Sequence, residues 1–138
     1  MLGRHADSLF WMARYLERSE NNARRIQAAF HYALSREDDG REEWKTIISE
    51  SGSEVVFRDK YSQHTLTDAV NFLLRDRDNV NSIITLIYKA RQNGRAVRAI
   101  LTQEVWLSLN ESWIACETAL KRPVKIRDLP GVLEGIIK

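Results

Sequence analysis

Apolar residues recur along this chain at the three- and four-residue spacing of amphipathic helices. Alternating runs bounded by tight-turn dipeptides, the mark of strands, do not occur. The first helix is predicted from about Asp7 to Leu34. Laid out at about 100° per residue, Leu2, Leu9, Ala13, Leu16, Ala23 and Leu34 share one side. Asp7 or Ser8 supplies its N-cap, and the polar run from Ser35 to Gly40 ends it. Shorter helices follow. One spans Glu42 to Ser49 with Trp44, Ile47 and Ile48. After the break Ser51-Gly52-Ser53, another runs from Ser53 to about Tyr61 with Val55, Val56 and Phe57. A third, capped by Thr65 or Thr67, carries Val70, Phe72, Leu73 and Leu74. Arg75-Asp76-Arg77-Asp78-Asn79 is then a polar connection.

A second long helix begins near Asn81 or Ser82, with Ile83, Leu86/Ile87, Ala90, Gly94, Val97 and Leu101 on one stripe. Glycine at mid-stripe costs roughly 1 kcal/mol relative to alanine, so Gly94 predicts the close approach of another helix. Beyond Leu101 the stripe turns by about 100°, to Trp106, Leu109, Trp113, Cys116 and Leu120. A straight helix cannot aim both stripes at one core, which predicts a kink or break near Thr102 to Glu104. Lys121-Arg122-Pro123 ends this element. Asp128 then caps a further helix with Pro130 in its first turn. The chain stops inside that apolar run, which predicts a piece of a longer protein. The fold expected is all-α: one helical domain over residues 1–138, with two long helices, several short ones, and residues 123–138 as a linker plus the start of another helix.

Composition narrows the function classes. With 43% hydrophobic and 29% charged residues and only two prolines, the 138-residue chain can bury a core and is not disordered. Its 21 Lys and Arg against 19 Asp and Glu are too balanced, and too dispersed, to argue for nucleic acid. Arg91, Arg95 and Arg98 share a flank of the second long helix and are the residues a nucleic-acid module would use; a solvated face is the simpler account. One cysteine allows no internal disulfide, and Cys116 among Ile114, Ala115 and Ala119 reads as a small buried hydrophobe. No segment approaches the ~20 apolar residues of a membrane span, and the N-terminus lacks the layout of a signal peptide. A cytoplasmic protein is expected.

Candidate chemistry concentrates in the first helix, in Arg14-Tyr15-Leu16-Glu17-Arg18-Ser19-Glu20-Asn21-Asn22-Ala23-Arg24-Arg25. By the same helical placement, Arg14, Arg18, Asn21, Asn22 and Arg25 lie opposite the apolar stripe. Glu20 lies at its centre, Glu17 and Arg24 on its edge, and Gln27 and His31 within it. An unpaired charge there is costly, so Glu17, Glu20 and Arg24 are expected to form an inward charge-assisted network. Two accounts stay open: a polar site inside the bundle, or surface ion pairs of little energetic weight. A di-metal carboxylate bundle wants Glu-x-x-His, and none precedes His5, His31 or His64. No phosphate loop, dinucleotide fingerprint, nucleophile elbow or Cys–His pairing is present. No cofactor or metal is predicted. Trp106 and Trp113 share one face and belong either to the core or to a partner-facing surface.

The run Leu2-x-Arg4-x-Ala6-Asp7-Ser8-Leu9-x-Trp11-x-x-Arg14-Tyr15-x-Glu17-Arg18-x-Glu20-Asn21-x-Ala23-Arg24 resembles the start of the bacterial alpha-E family, helical proteins named for a Glu-Arg motif. Trp44, Phe57, the stretch from Asn79 to Ile83, the stretch from Ala90 to Arg98 and the run from Glu104 to Asn110 continue the resemblance over most of residues 2 to 113. It implies an accessory component of a peptide-synthesis or peptide-modification system, alongside circularly permuted ATP-grasp ligases, transglutaminase-like proteins and proteasome-like peptidases. It also implies a second Glu-Arg segment in a C-terminal half, which this chain ends before. On the resemblance, Arg14, Glu17, Arg18, Glu20, Asn21 and Arg24 are the motif positions, expected to bind a partner enzyme or peptide. The alternatives are an enzyme using Glu17, Glu20 and Arg24 for acid–base or metal chemistry, and a nucleic-acid module. A homo-oligomer is a further possibility.

Overall fold

The computed structural model describes residues 2–35, 41–50, 52, 54–61 and 66–137. Leu2–Ser35 forms helix α1. Arg41–Glu50, Glu54–Lys60 and Leu66–Arg75 form the short helices α2, α3 and α4. Ile83–Ala96 is α5, Gln103–Ala119 is α6 and Leu129–Ile137 is α7. The described residues contain no strand, as the hydrophobic spacing requires. Residues 36–40, Ser51, Ser53 and Thr65, to which the sequence assigned a stop, a break and a cap, lie outside the described residues, as do His64 and the side chains of Leu2 and Leu34.

α1 starts at Leu2, so Asp7 and Ser8 lie inside it and cap nothing. Nothing between Leu2 and Ser8 breaks a helix, and a capping side chain matters only where the chain enters one. The face of α1 that packs also differs from the one expected. Met12, Ser19, Ala23, Ile26, Ala29 and Phe30 are buried, a stripe rotated by about a quarter turn from Leu9, Ala13 and Leu16. The large side chains decide the matter: Met12, Ile26 and Phe30 bury more apolar area than Ala13. Ser19 tolerates the core because its hydroxyl donates to the Leu16 carbonyl at 2.8 Å.

α1 packs most extensively along α5, and α6 closes against α5. The predicted second long helix is two helices, of 14 and 17 residues. Ser82 caps α5, its hydroxyl accepting from the Thr85 N–H at 3.3 Å. The break expected near Thr102 to Glu104 is present but falls a turn earlier, between Val97 and Thr102. A single 3₁₀ turn spans Arg98–Ile100, Leu101 is extended, and Thr102 caps α6 by accepting from the Val105 N–H at 3.2 Å. Gly94 sits buried where α1, α5 and α6 meet. A Cβ there would overlap Leu109 Cδ2 and lie 3.1 Å from Met12 Sδ. The close approach that the sequence predicted is therefore real.

The C-terminal segment folds back onto the bundle. Leu129 and Leu133 are fully buried, and α7 packs on α1 and α6. Asn71 ties the connection down like a strand partner: its Nδ2 donates to the Val124 carbonyl at 3.1 Å, and its Oδ1 accepts from the Val124 N–H at 2.7 Å. Arg75 donates to the Leu120 and Lys121 carbonyls, both at 3.0 Å, which satisfies the open end of α6. The main core runs from Ala23 and Ile26 through Phe72 and Ile83 to Trp113, Leu120 and Leu133. No helix among the described residues is long and apolar enough to cross a membrane.

Candidate functional site

The rotation of α1 redistributes every charged residue of the motif. Glu17, Glu20 and Arg24 do not point inward; all three are exposed. Arg24 donates to Glu20 Oε1 at 2.8 Å one turn away, with the two side chains 58% and 47% exposed. Arg14 Nη1 lies 3.7 Å from Glu17 Oε2, again in solvent. Asn21 and His31 are exposed as well, and Gln27 is half-buried. The expected inward network is thus a row of surface pairs. Its residues sit off the true stripe, Glu20 nearest to it and Glu17 almost opposite, where water solvates them.

Arg18 moves the other way. Placed opposite the apolar stripe by sequence, it is half-buried, as is Asn22. Arg18, Asn22 and Arg25 follow one another at four- and three-residue spacing and so form one ridge of α1. That ridge faces α2 and the α4–α5 connection, and together they line a half-open pocket of about 350 Å³. Ile26, Ile47 and Leu73 form its apolar wall; Arg18, Asn22, Arg25, Glu50 and Asn81 supply its polar groups. Arg25 pairs with Glu50 across the mouth. Asn22 Nδ2 donates to the Asn81 carbonyl at 3.1 Å. Among the described residues Arg18 has neither an ion pair nor a hydrogen bond. A guanidinium carries five donors in a planar fork suited to an oxyanion, and here the arginine that carries it is half-buried and has no partner.

The pocket rests on a polar junction that the sequence marked only as a connection. The Asp76 side chain is 2% exposed. It accepts from Lys60 Nζ at 2.9 Å, from the Tyr61 hydroxyl at 2.7 Å and from the Asp78 N–H at 2.9 Å. Burial works against its ionisation, but these donors outweigh burial and hold the carboxyl below its ordinary range. Burial, then the hydrogen bond to Asp76, pushes the Tyr61 hydroxyl up to about 12. The bonds to Asp76 and Asp78 raise the Lys60 ammonium as well. From Asp76 the turn continues: Asn79 N–H donates to the Asp76 carbonyl at 3.2 Å, and fully buried Asn79 accepts from the Asn81 N–H at 3.0 Å. Asp76 thereby fixes the turn whose Asn81 carbonyl meets Asn22.

Other candidates resolve simply. Burial pushes the Cys116 thiol up to about 12, against the field of Arg77, as expected of an inert core cysteine. Arg91 donates to Asn110 Oδ1 at 2.8 Å and Arg98 stacks on Trp106 at 5.3 Å, so only Arg95 of that trio extends from the flank without such a contact. Trp113 is core, against Tyr88 and Arg77. The described residues contain no group of three or more His, Cys, Asp or Glu placed to hold a metal.

Across residues 1–137 the sequence matches a family described as a predicted alpha-helical domain with a conserved ER motif. This chain belongs to the Alpha-E family. Glu17-Arg18 is the single Glu-Arg dipeptide in the sequence, and α1 divides these two residues between solvent and pocket. No curated protein and no solved structure matches the chain. Of the motif residues chosen from sequence, the Alpha-E fold brings only Arg18 into the pocket. Asn22 and Arg25 were legible from their spacing to Arg18. Glu50 and Asn81 come from distant segments and carried no local signal.

Proposed function

We propose that this Alpha-E domain is an accessory, non-catalytic module of a bacterial peptide-synthesis or peptide-modification system, cytoplasmic and linked to an ATP-grasp ligase, that binds a partner enzyme or a peptide through the first helix. The single observation that carries the binding part is Arg18: a half-buried cation without a partner, at a pocket of ligand size. The link to ATP-grasp and transglutaminase-like proteins rests on the resemblance of the N-terminal motif. An acid–base site at Glu17, Glu20 and Arg24 has lost its support, because those side chains are exposed and Glu20 is tied to Arg24. A nucleic-acid module has lost two of its three arginines to internal contacts. The test is affinity purification of the protein from its native cell, with mass spectrometry of what is retained. Recovery of an ATP-grasp ligase supports the reading. Retention of neither that ligase nor a transglutaminase-like protein, at near-native abundance, overturns it.

A further inference from the structure

The charges in the pocket point to a ligand class. Arg18 and Arg25 contribute two positive charges and Glu50 one negative, and the pair Arg25–Glu50 is closed on itself. The pocket therefore has one cation to offer, on a fork whose geometry suits a two-oxygen acceptor. A dianion such as phosphate would bring two charges to one free cation and stand against the Glu50 carboxylate. The wall is apolar, with Ile26, Ile47 and Leu73, which suits the short aliphatic stem of an acidic amino acid. About 350 Å³ admits such a side chain or a chain end and lies near the lower end of ligand pockets.

We infer that the Arg18 pocket binds a peptide carboxylate, either an Asp or Glu side chain or a C-terminal carboxyl group. This deepens the partner-binding reading and rests on it only for what carries the carboxylate. Arg18 takes the two oxygens as a bidentate pair, and the apolar wall takes the methylenes. Arg25 and Glu50, paired with each other, line the same pocket and leave it no second free cation.

The inference is tested on the 138-residue chain with four probes. One is a blocked tetrapeptide with an internal Glu and an amidated end. The second replaces that Glu by Gln and frees the C-terminus. The third has Gln and an amidated end, and the fourth is inorganic phosphate. Binding is read by NMR shifts of the amides around Arg18, Asn22 and Ile47. The expected result is saturable binding of the first or second peptide, whichever wins naming the source, and none of the third. Arg18→Ala and Arg18→Lys should each weaken it at least tenfold, Lys because a point charge does not reproduce the fork. Glu50→Gln should tighten it several-fold, and this variant leaves Arg18 and the core untouched. The inference is overturned if the peptides leave those amides unmoved, if phosphate binds better than either carboxylate, or if Arg18→Ala folds and binds as before. Carboxylate binding with neither a ligase nor a transglutaminase-like protein recovered from cells would sink the proposed function alone. A ligase retained by a chain that ignores carboxylates would sink this inference alone.

Discussion

Glu17 and Arg18 are adjacent in sequence and stand in different surroundings. Glu17 faces Arg14 across 3.7 Å of exposed helix surface, whereas Arg18 is half-buried and unpaired at a pocket between α1, α2 and the α4–α5 connection. Successive residues on a helix point about 100° apart, so a dipeptide motif at the edge of a packed stripe is necessarily split. Glu17 and Arg18 should therefore be separable by mutation.

The surface half should matter little to folding. Glu17→Ala and Glu20→Ala each remove one partner of an exposed pair, and such pairs contribute less than about 1 kcal/mol. Thermal midpoints should stay within about four degrees of the unmodified protein. A loss above about 2 kcal/mol in denaturant titration would return these carboxylates to a buried network.

Asp76 should matter a great deal. Asp76→Ala removes a carboxylate that is 2% exposed and strands the Tyr61 hydroxyl and the Asp78 N–H. The expected cost is about 2–3 kcal/mol, read as a lower denaturant midpoint. The turn to Asn81 should loosen with it, so amide exchange at Asn79 and Asn81 should quicken more than at Leu86.

The same junction fixes the response to pH. The folded Asp76 carboxyl titrates below its unfolded value, so its contribution is full above about pH 4 and disappears as pH falls through the folded value. Tyr61 is raised to about 12, so its contribution is full below about pH 10 and is lost as pH climbs toward 12. Stability should therefore fall at both limbs. Asp76→Asn should flatten the acid limb and reduce the alkaline one. Equal acid limbs in the two proteins would show that Asp76 is not the group responsible.

How much was visible beforehand follows from physical cause. Helix existence, a break close to Thr102 and the role of Gly94 were legible because each depends on local spacing or on one residue's size. The burial of Leu109, Trp113, Cys116 and Leu120 was legible for the same reason. The facing of α1 was not. Its apolar residues spread over more than half its circumference, and a stripe drawn through Leu9, Ala13 and Leu16 omits Met12, Ile26 and Phe30, which weigh more once neighbours are present. That shift turned Glu20 from core to solvent and Arg18 from solvent to pocket. The α4–α5 connection looked like an ordinary polar loop because hydrogen bonds from Lys60 and Tyr61 to Asp76 span fifteen or sixteen residues and leave no periodic trace.

Gly94 gives a graded test of helix approach. Gly94→Ala gains about 1 kcal/mol of helix propensity and forces the Leu109 methyl aside, so the net change should be small. Gly94→Leu cannot be accommodated between Met12 and Leu109 and should cost about 1–3 kcal/mol or more. Equal stability of the two variants would mean that α5 and α6 do not meet at this position.

The central claim is that the Glu-Arg motif works through Arg18. The most direct measurement is parallel affinity purification from the native cell with the unmodified chain, Arg18→Ala and Glu17→Ala, each first shown to fold by its thermal midpoint. The account predicts that an ATP-grasp ligase is recovered with the unmodified chain, is retained by Glu17→Ala, and is lost with Arg18→Ala. Loss with Glu17→Ala and retention with Arg18→Ala would place the contact on the solvent face of α1 and contradict it.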